Sequence, residues 1–393
     1  MTTTARGVAL PIALVVGGVV ATAVGLITAP ARTWPNLLLD GFYVLALGVS
    51  ATFFIATQRL TSARWSAALR RVPEAFMLIL PVAALLVGVV LIGRETLFPW
   101  ARAAGLSGAE ATGGKPTYLA PSFVVIRMAA IVGIWILFAF LFRRSSLTQD
   151  AAPARSILLH QRMNRLSALF VVLFAPSITF AGYDWIGSLE PSWSSTMFGV
   201  YIFAGAFVLG IAAITLAVVL LADTKPLRGL VGEKQLHDLG KLLFAFSIFW
   251  AYIWTCQYLL IWYGDIPEEV SHYLKRTNGP WVYLFALNFI VNWVVPFLAL
   301  LSAPAKQRRR RLGIVAGIVL AGRWLDLYVL IMPAFSAEPH FGPLEIAIAA
   351  GYGALIYLVF RFNLRRAPLV PLHDPILAAD QPDHLRQLER NPA

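Results

Sequence analysis

Charge is what this sequence has least of. Asp, Glu, Lys and Arg supply 13% of its 393 residues, against 59% apolar residues. A soluble domain carries about 25% charged residues, so the composition excludes an ordinary soluble fold and indicates a polytopic membrane protein. Cysteine is nearly absent. The single Cys256 can neither close an internal disulfide nor hold an iron–sulfur cluster. None of the six histidines (His160, His237, His272, His340, His373 and His384) falls in the middle of an apolar run. That argues against haem held by two histidines inside a helix bundle. There is no Walker A pattern, which argues against ATP-driven pumping by this chain alone. No nucleophile–base arrangement stands out either, so no catalytic residue and no metal ligand is assigned. The net charge of +12 does not mark a nucleic-acid binder, because the basic residues sit at the ends of apolar runs, as topology signals do.

What the chain has is ten long apolar runs, and they predict an all-α fold of ten transmembrane helices. The expected spans are 7–29, 35–57, 72–93, 120–142, 163–185, 195–222, 239–264, 281–301, 311–333 and 343–362. The first run, Val8 to Thr28, is too long for a signal-peptide core and lacks an A-x-A-like cleavage site where one is needed, so it reads as a true span. Lys and Arg concentrate on alternate connections. Arg59, Arg64, Arg70 and Arg71 follow the second span, and Arg143 and Arg144 follow the fourth. Lys225 and Arg228 follow the sixth, and the run Arg308-Arg309-Arg310-Arg311 precedes the ninth. The positive-inside rule then places both termini in the cytoplasm. The opposite face carries Trp34, Trp100, Trp193 and Trp281 as an interfacial belt, and the longer connection 94–119.

A weak internal repeat divides the spans. Gly41-Phe42-Tyr43 in the second span answers Gly199-Val200-Tyr201 in the sixth, and Asp184-x6-Pro191 answers Asp326-x6-Pro333 four spans later. Both pairs keep order and direction, which predicts two parallel four-helix bundles, spans 2–5 and 6–9, flanked by spans 1 and 10. The corresponding divisions are 1–34, 35–194, 195–334 and 335–393.

The stretch 246–273 is the most telling. It begins as an aromatic membrane helix and ends in Asp265-Ile266-Pro267-Glu268-Glu269, with Gln257 and Tyr258 about two turns below that acidic exit. Polar side chains at membrane depth are costly unless paired. In the first bundle Asp40, Arg127 and Asp184 are expected to form one ion-paired cluster toward the non-cytoplasmic side. In the second, Gln257, Tyr258, Asn288, Asn292, Arg323 and Asp326 reach a similar depth. Two readings stand side by side. Paired buried charges and interhelical amides can be architectural. Alternatively Asp40, Arg127, Asp184, Gln257, Tyr258, Arg323 and Asp326 can serve a quinone pocket or a proton path, with Asp265, Glu268 and Glu269 passing protons to water.

Tyr183-Asp184-Trp185-Ile186-Gly187-Ser188-Leu189-Glu190-Pro191-Ser192-Trp193, followed by Phe198-Gly199-Val200-Tyr201, resembles the signature of NrfD-like (polysulfide-reductase type) membrane subunits of alternative complex III. Gln257-Tyr258-Leu259-Leu260-Ile261-Trp262-Tyr263, Ile266-Pro267-Glu268-Glu269, Asp326-Leu327-Tyr328, Ile331-Met332-Pro333 and the tail Val370-Pro371-Leu372-His373-Asp374-Pro375 are similar to the second of the two quinone-binding NrfD-like subunits of that complex. The resemblance implies a quinone-interacting subunit of a bacterial quinol:electron-acceptor oxidoreductase, seated in the inner membrane, with no redox centre of its own. Its quinone would be menaquinone or ubiquinone. The implied partners are a sister NrfD-like subunit, an iron–sulfur/molybdopterin-like subunit and multihaem c-type cytochromes, which would carry the haem c and the iron–sulfur clusters, together with lipids. The alternatives are a non-catalytic scaffold or proton-conducting subunit, and a secondary transporter. The last suits a parallel repeat, but the spans lack obvious Gly/Pro breaks at matching mid-membrane positions.

Overall fold

The computed structural model describes residues 6–102, 112–224, 226–371 and 373–380. Lys225, Leu372, His384 and the middle of the 94–119 connection lie outside the described residues. The chain is all-α, and ten of its helices are long and apolar enough to cross a membrane. In order they are α1 (Arg6–Thr28), α2 (Pro30–Leu60), α3 (Arg71–Leu97), α4 (Pro121–Ala151), α5 (Ser156–Trp185) and α6 (Phe198–Leu221). Then come α7 (Glu233–Gly264), a short α8 (Pro267–Thr277), α9 (Trp281–Ala299), α10 (Arg309–Ile331), α11 (Pro343–Leu364) and a last short α12 (Pro375–Asp380).

Local chemistry sets these boundaries. Pro30, Pro121 and Pro343 stand in the first turns of α2, α4 and α11, where a missing N–H is harmless and the fixed φ suits a helix. Gln235 and Glu345 reach back to the N–H of Gly232 (3.0 Å) and Gly342 (2.9 Å), satisfying donors that begin α7 and α11. Inside α3, Pro81 cannot donate to Met77, and the helix breaks into a turn at Leu78 and Ile79. Several helices outrun their apolar stretches. α2 runs 30–60 rather than 35–57, α4 to 151 rather than 142, α5 from 156 rather than 163, and α7 from 233 rather than 239. Hydropathy stops where the hydrocarbon would stop; the backbone ladder continues into a polar cap, because Arg, Gln and Ser are compatible with a helix.

α2 lies at the centre, packed on α3, α5, α6, α10 and α11. Neighbour contacts run α2–α3–α4–α5 and back to α2, and likewise α6–α7–α9–α10 and back to α6. α1 packs chiefly on α11 and turns Val19 and Ile27 outward. That seam needs small residues, since a Cβ on Gly18 would fall 2.8 Å from the Gly351 Cα.

The basic end of the bundle is more than a topology signal. Arg59, Arg70, Arg71 and Arg143 are buried. Glu74 accepts from Arg71 (2.6 Å), Arg143 (2.7 Å) and Ser146 (2.6 Å), and Arg71 also meets Asp150. Asp374, just before α12, is fully buried against Arg70, and the Ser156 hydroxyl donates to the His373 carbonyl (2.5 Å). The tail thus straps across the turn at 64–69 and the start of α5.

The α1–α11 seam gives the first prediction. Gly351→Val forces the two backbones apart and lowers the midpoint of unfolding in a detergent titration, by the equivalent of about 1–3 kcal/mol. Gly17→Val, one residue along α1 with open space beside it, leaves the midpoint unchanged.

Candidate functional site

The end of the bundle that lacks arginine runs collects the C-termini of α5, α7 and α10 and the N-termini of α4, α6 and α9. Asp184 and Asp326 are among the carboxylates buried there. Asp184, in the last turn of α5, takes a two-pronged guanidinium from Arg127 of α4 (Nε–Oδ2 2.7 Å, Nη2–Oδ1 2.6 Å) and the Tyr118 hydroxyl at 2.9 Å. The same guanidinium lies 3.9 Å above the Tyr118 ring. The segment beyond α5 is pinned as well. Ser188 Oγ donates to the Asp184 carbonyl (2.6 Å) and accepts from Trp100 Nε1 (3.0 Å), and the Tyr183 hydroxyl donates to the Ser195 carbonyl (2.6 Å).

The second carboxylate, Asp326 of α10, accepts from Asn288 of α9 at 2.7 Å, from the Tyr201 hydroxyl of α6 and from Arg323 one turn earlier. Asn292 sits in a π turn of α9, Ile290–Val294, and its Nδ2 donates to Asn288 Oδ1 (2.7 Å) and the Gly322 carbonyl (2.9 Å). The wider π turn swings this amide toward α10, a recurring use of such turns. Arg323 fits because position 205 is glycine; a Cβ there would fall 2.2 Å from Nη2. The guanidinium also lies 4.9 Å from the Trp250 ring.

Between these units a clip closes the surface. After α7 the chain reverses at Asp265, whose φ of +47° is a conformation aspartate tolerates better than most residues. α8 then begins with Pro267, Glu268 and Glu269 and ends with Lys275 and Arg276, each charge on the side the helix dipole favours. Its inner face carries His272 and Arg276, one turn apart and both buried. Glu190, from the connection after α5, is held by His272 Nδ1, Lys275 Nζ (2.8 Å) and Arg276 (3.5 Å). Trp193 stacks on His272 at 4.0 Å and donates Nε1 to the Glu269 carbonyl (3.1 Å). Burial alone would raise the Glu190 carboxyl, but Arg276, His272 and Lys275 outweigh it and hold it well below the usual range. Burial first, and then the Arg276 cation, push the His272 imidazole down to about 4. A neutral ring donating Nδ1–H to a carboxylate satisfies both shifts.

Beneath the clip lies a cavity of about 500 Å³, bounded among others by Tyr118, Tyr183, Trp193, Gln257 and Glu269. Phe180 of α5 and Leu260 of α7 are exposed on the helix surface and form its rim, so it faces the lipid between those helices. Gln257 is buried, and its Oε1 has no hydrogen-bond partner among the described residues. On the far side of Gln257 is a small space of about 20 Å³ bounded by His272, Tyr273, Asn288 and Asp326, room for one water-sized molecule. One amide therefore separates the lipid-facing cavity from the Asp326 unit.

Several expectations are met and others corrected. Arg127 and Asp184 come together, as do Arg323 and Asp326, with Gln257 beside the small space that Asp326 bounds. Asp40 does not join Arg127. It accepts from Trp324 Nε1 of α10 (2.8 Å), and its other oxygen has no partner among the described residues. The polar face of central α2 turns toward α10, as the Tyr43 hydroxyl on the Leu320 carbonyl also shows (3.0 Å). Tyr258 packs among Trp254, Tyr273 and Phe285 and bounds neither cavity. Asp265 and Glu268 are exposed, and Asp265 is a turn residue. His272 is a site residue that the apolar runs do not reveal, because it lies outside all of them. A signal was present: proline, two acids and two bases bracketing eleven residues read as a helix start and stop.

The Asp184–Arg127 pair and the clip respond to different perturbations. Asp184→Asn strands Arg127 without a counter-charge and destabilises the fold by about 3–5 kcal/mol, read as a lowered unfolding midpoint; an unchanged midpoint would show the pair to be dispensable. Acidification loosens the clip. Between the ordinary imidazole value of about 6.5 and about 4 the unfolded chain binds a proton at His272 that the folded chain does not, so stability present above pH ~6.5 is lost as the pH falls. Glu190, held low, acts in the same direction. Hydrogen exchange over 267–277, corrected for intrinsic rates, should rise between pH 7 and pH 4.5, and His272→Gln should flatten that dependence.

No protein-family model matches this sequence, and no curated protein does, so the reading of the site rests on its geometry.

Proposed function

We propose that this chain is the quinone-interacting membrane subunit of a bacterial respiratory quinol oxidoreductase, of the NrfD-like type found in alternative complex III and corresponding to the second such subunit there. The observation that carries the reading is the cavity under α8. It faces lipid, has the volume of a small-ligand site, and is lined at its inner wall by the buried Gln257, whose amide oxygen has no partner among the described residues. A quinol head group is a flat ring with two hydroxyls on an apolar tail. In this reading its ring lies among Tyr118, Tyr183 and Trp193, its tail leaves past Phe180 and Leu260, and a turn of the Gln257 amide into the cavity lets Oε1 accept from one hydroxyl. Quinol oxidation releases two protons and two electrons. Glu269, at the aqueous edge of the cavity, is a proton acceptor on this chain. The electrons leave to metal centres on partner chains: a sister NrfD-like subunit, an iron–sulfur/molybdopterin-like subunit and multihaem c-type cytochromes complete the assembly. In this reading the basic end faces the cytoplasm, with both termini, and the clip faces outward.

A scaffold reading has one observation in its favour: Asp184 and Asp326 find their partners within the chain, as architectural carboxylates do. The two readings part at Gln257. In the purified complex, Gln257→Leu should raise the quinol KM about five-fold, the loss of one hydrogen bond, with the complex intact. Unchanged kinetics in an intact complex, together with labelling of a different chain by a photoreactive quinone, would leave only the scaffold.

A further inference from the structure

A second cavity of about 500 Å³ lies at the opposite, basic end, between the last turns of α9 and the first turns of α10. Its mouth is made by Arg308, Arg310 and Arg311, and its walls by Val295, Ile314 and Ile318. Arg311, Ile314, Val315 and Ile318 share one face of α10, so an apolar stripe descends roughly 10 Å below a guanidinium. Val295 and Ala299, one turn apart on α9, line the opposite wall.

Three of the four charges at 308–311 find no partner among the described residues. Arg309 turns away to Asp223, whereas Arg308, Arg310 and Arg311 have no ion-pair or hydrogen-bond partner among the described residues. Their position makes this unfavourable by itself. They crowd the N-terminus of a 23-residue helix, the positive end of its dipole, where cations repel and an anion is stabilised. An anion at the mouth would relieve that repulsion, and the apolar groove beneath it would accommodate a hydrocarbon chain.

We propose that this groove is a binding site for one anionic glycerophospholipid of the adjoining leaflet, its phosphate held by Arg308, Arg310 and Arg311 and one acyl chain laid between α9 and α10. A basic pocket between spans at a membrane surface has the character such head groups require. The site is separate from the quinone cavity and does not depend on the function proposed above.

The test uses the full chain, in its complex where it forms one, stripped of lipid in detergent and offered dioleoyl-phosphatidylglycerol or dioleoyl-phosphatidylcholine. Native mass spectrometry should show selective retention of the phosphatidylglycerol. Replacing all three arginines by glutamine should weaken retention about 100-fold, at about 1 kcal/mol per charge. Ile318→Trp keeps the arginines, fills the groove, and should also abolish retention. Equal retention of both lipids, or retention unchanged in the triple variant, overturns the proposal. So does a finding that inorganic phosphate raises the thermal midpoint as much as phosphatidylglycerol does, which would make this a simple anion site.

Discussion

The Asp326 carboxylate holds the second half of this molecule together. It joins α10 to α9 through Asn288 and to α6 through Tyr201, while Arg323 on its own helix supplies the opposing charge. In lipid there is no water to solvate such a group, so its partners are obligatory rather than ornamental. Everything near it adjusts. Position 205 is glycine so that the guanidinium has room, α9 takes a π turn that presents Asn292, and Trp250 lies against the cation. The Asp184–Arg127 pair does the same work for α4 and α5 with fewer participants.

These anchored units carry a separately fastened element. α8 contributes no span. It is fastened by Glu190, by the Trp193–His272 stack and by Arg276 donating to the Val329 and Leu330 carbonyls (3.0 and 2.7 Å). A rigid floor beneath a pH-dependent cover is an arrangement in which the cover can loosen while the bundle stays intact. The proposed quinone cavity lies between the two, with Gln257 belonging to the floor and Glu269 to the cover.

Much of the fold was legible because apolar runs of about 20 residues have few alternatives. Ten were expected, and ten helices of that character are present among the described residues. The helix ends were less legible, since α4 continues as a helix through Arg143, Ser146 and Gln149 after its hydropathy has faded. The site was legible by pairs and not as a whole. Arg323 and Asp326 are neighbours on one helix, a spacing that sequence reports directly. Asp40 and Arg127 are not, and depth along a helix says nothing of rotation about its axis: a residue can sit at the right height and face the wrong neighbour, as Asp40 does toward Trp324. His272 was hidden for a different reason. A short amphipathic helix between spans has no hydropathy signal and is recognised only by its caps and its charges.

The strap at the basic end bears on how such a chain is completed. Arg70 leaves the ribosome before α3, and its carboxylate partner Asp374 only after α11. Through the insertion of every intervening span the guanidinium lacks its counter-ion, and α12 cannot settle on the turn at 64–69 until the whole membrane domain has been made. The Arg70–Asp374 contact is therefore a seal that closes last, and a chain that stops short of it keeps an uncompensated charge at the base of its central helices.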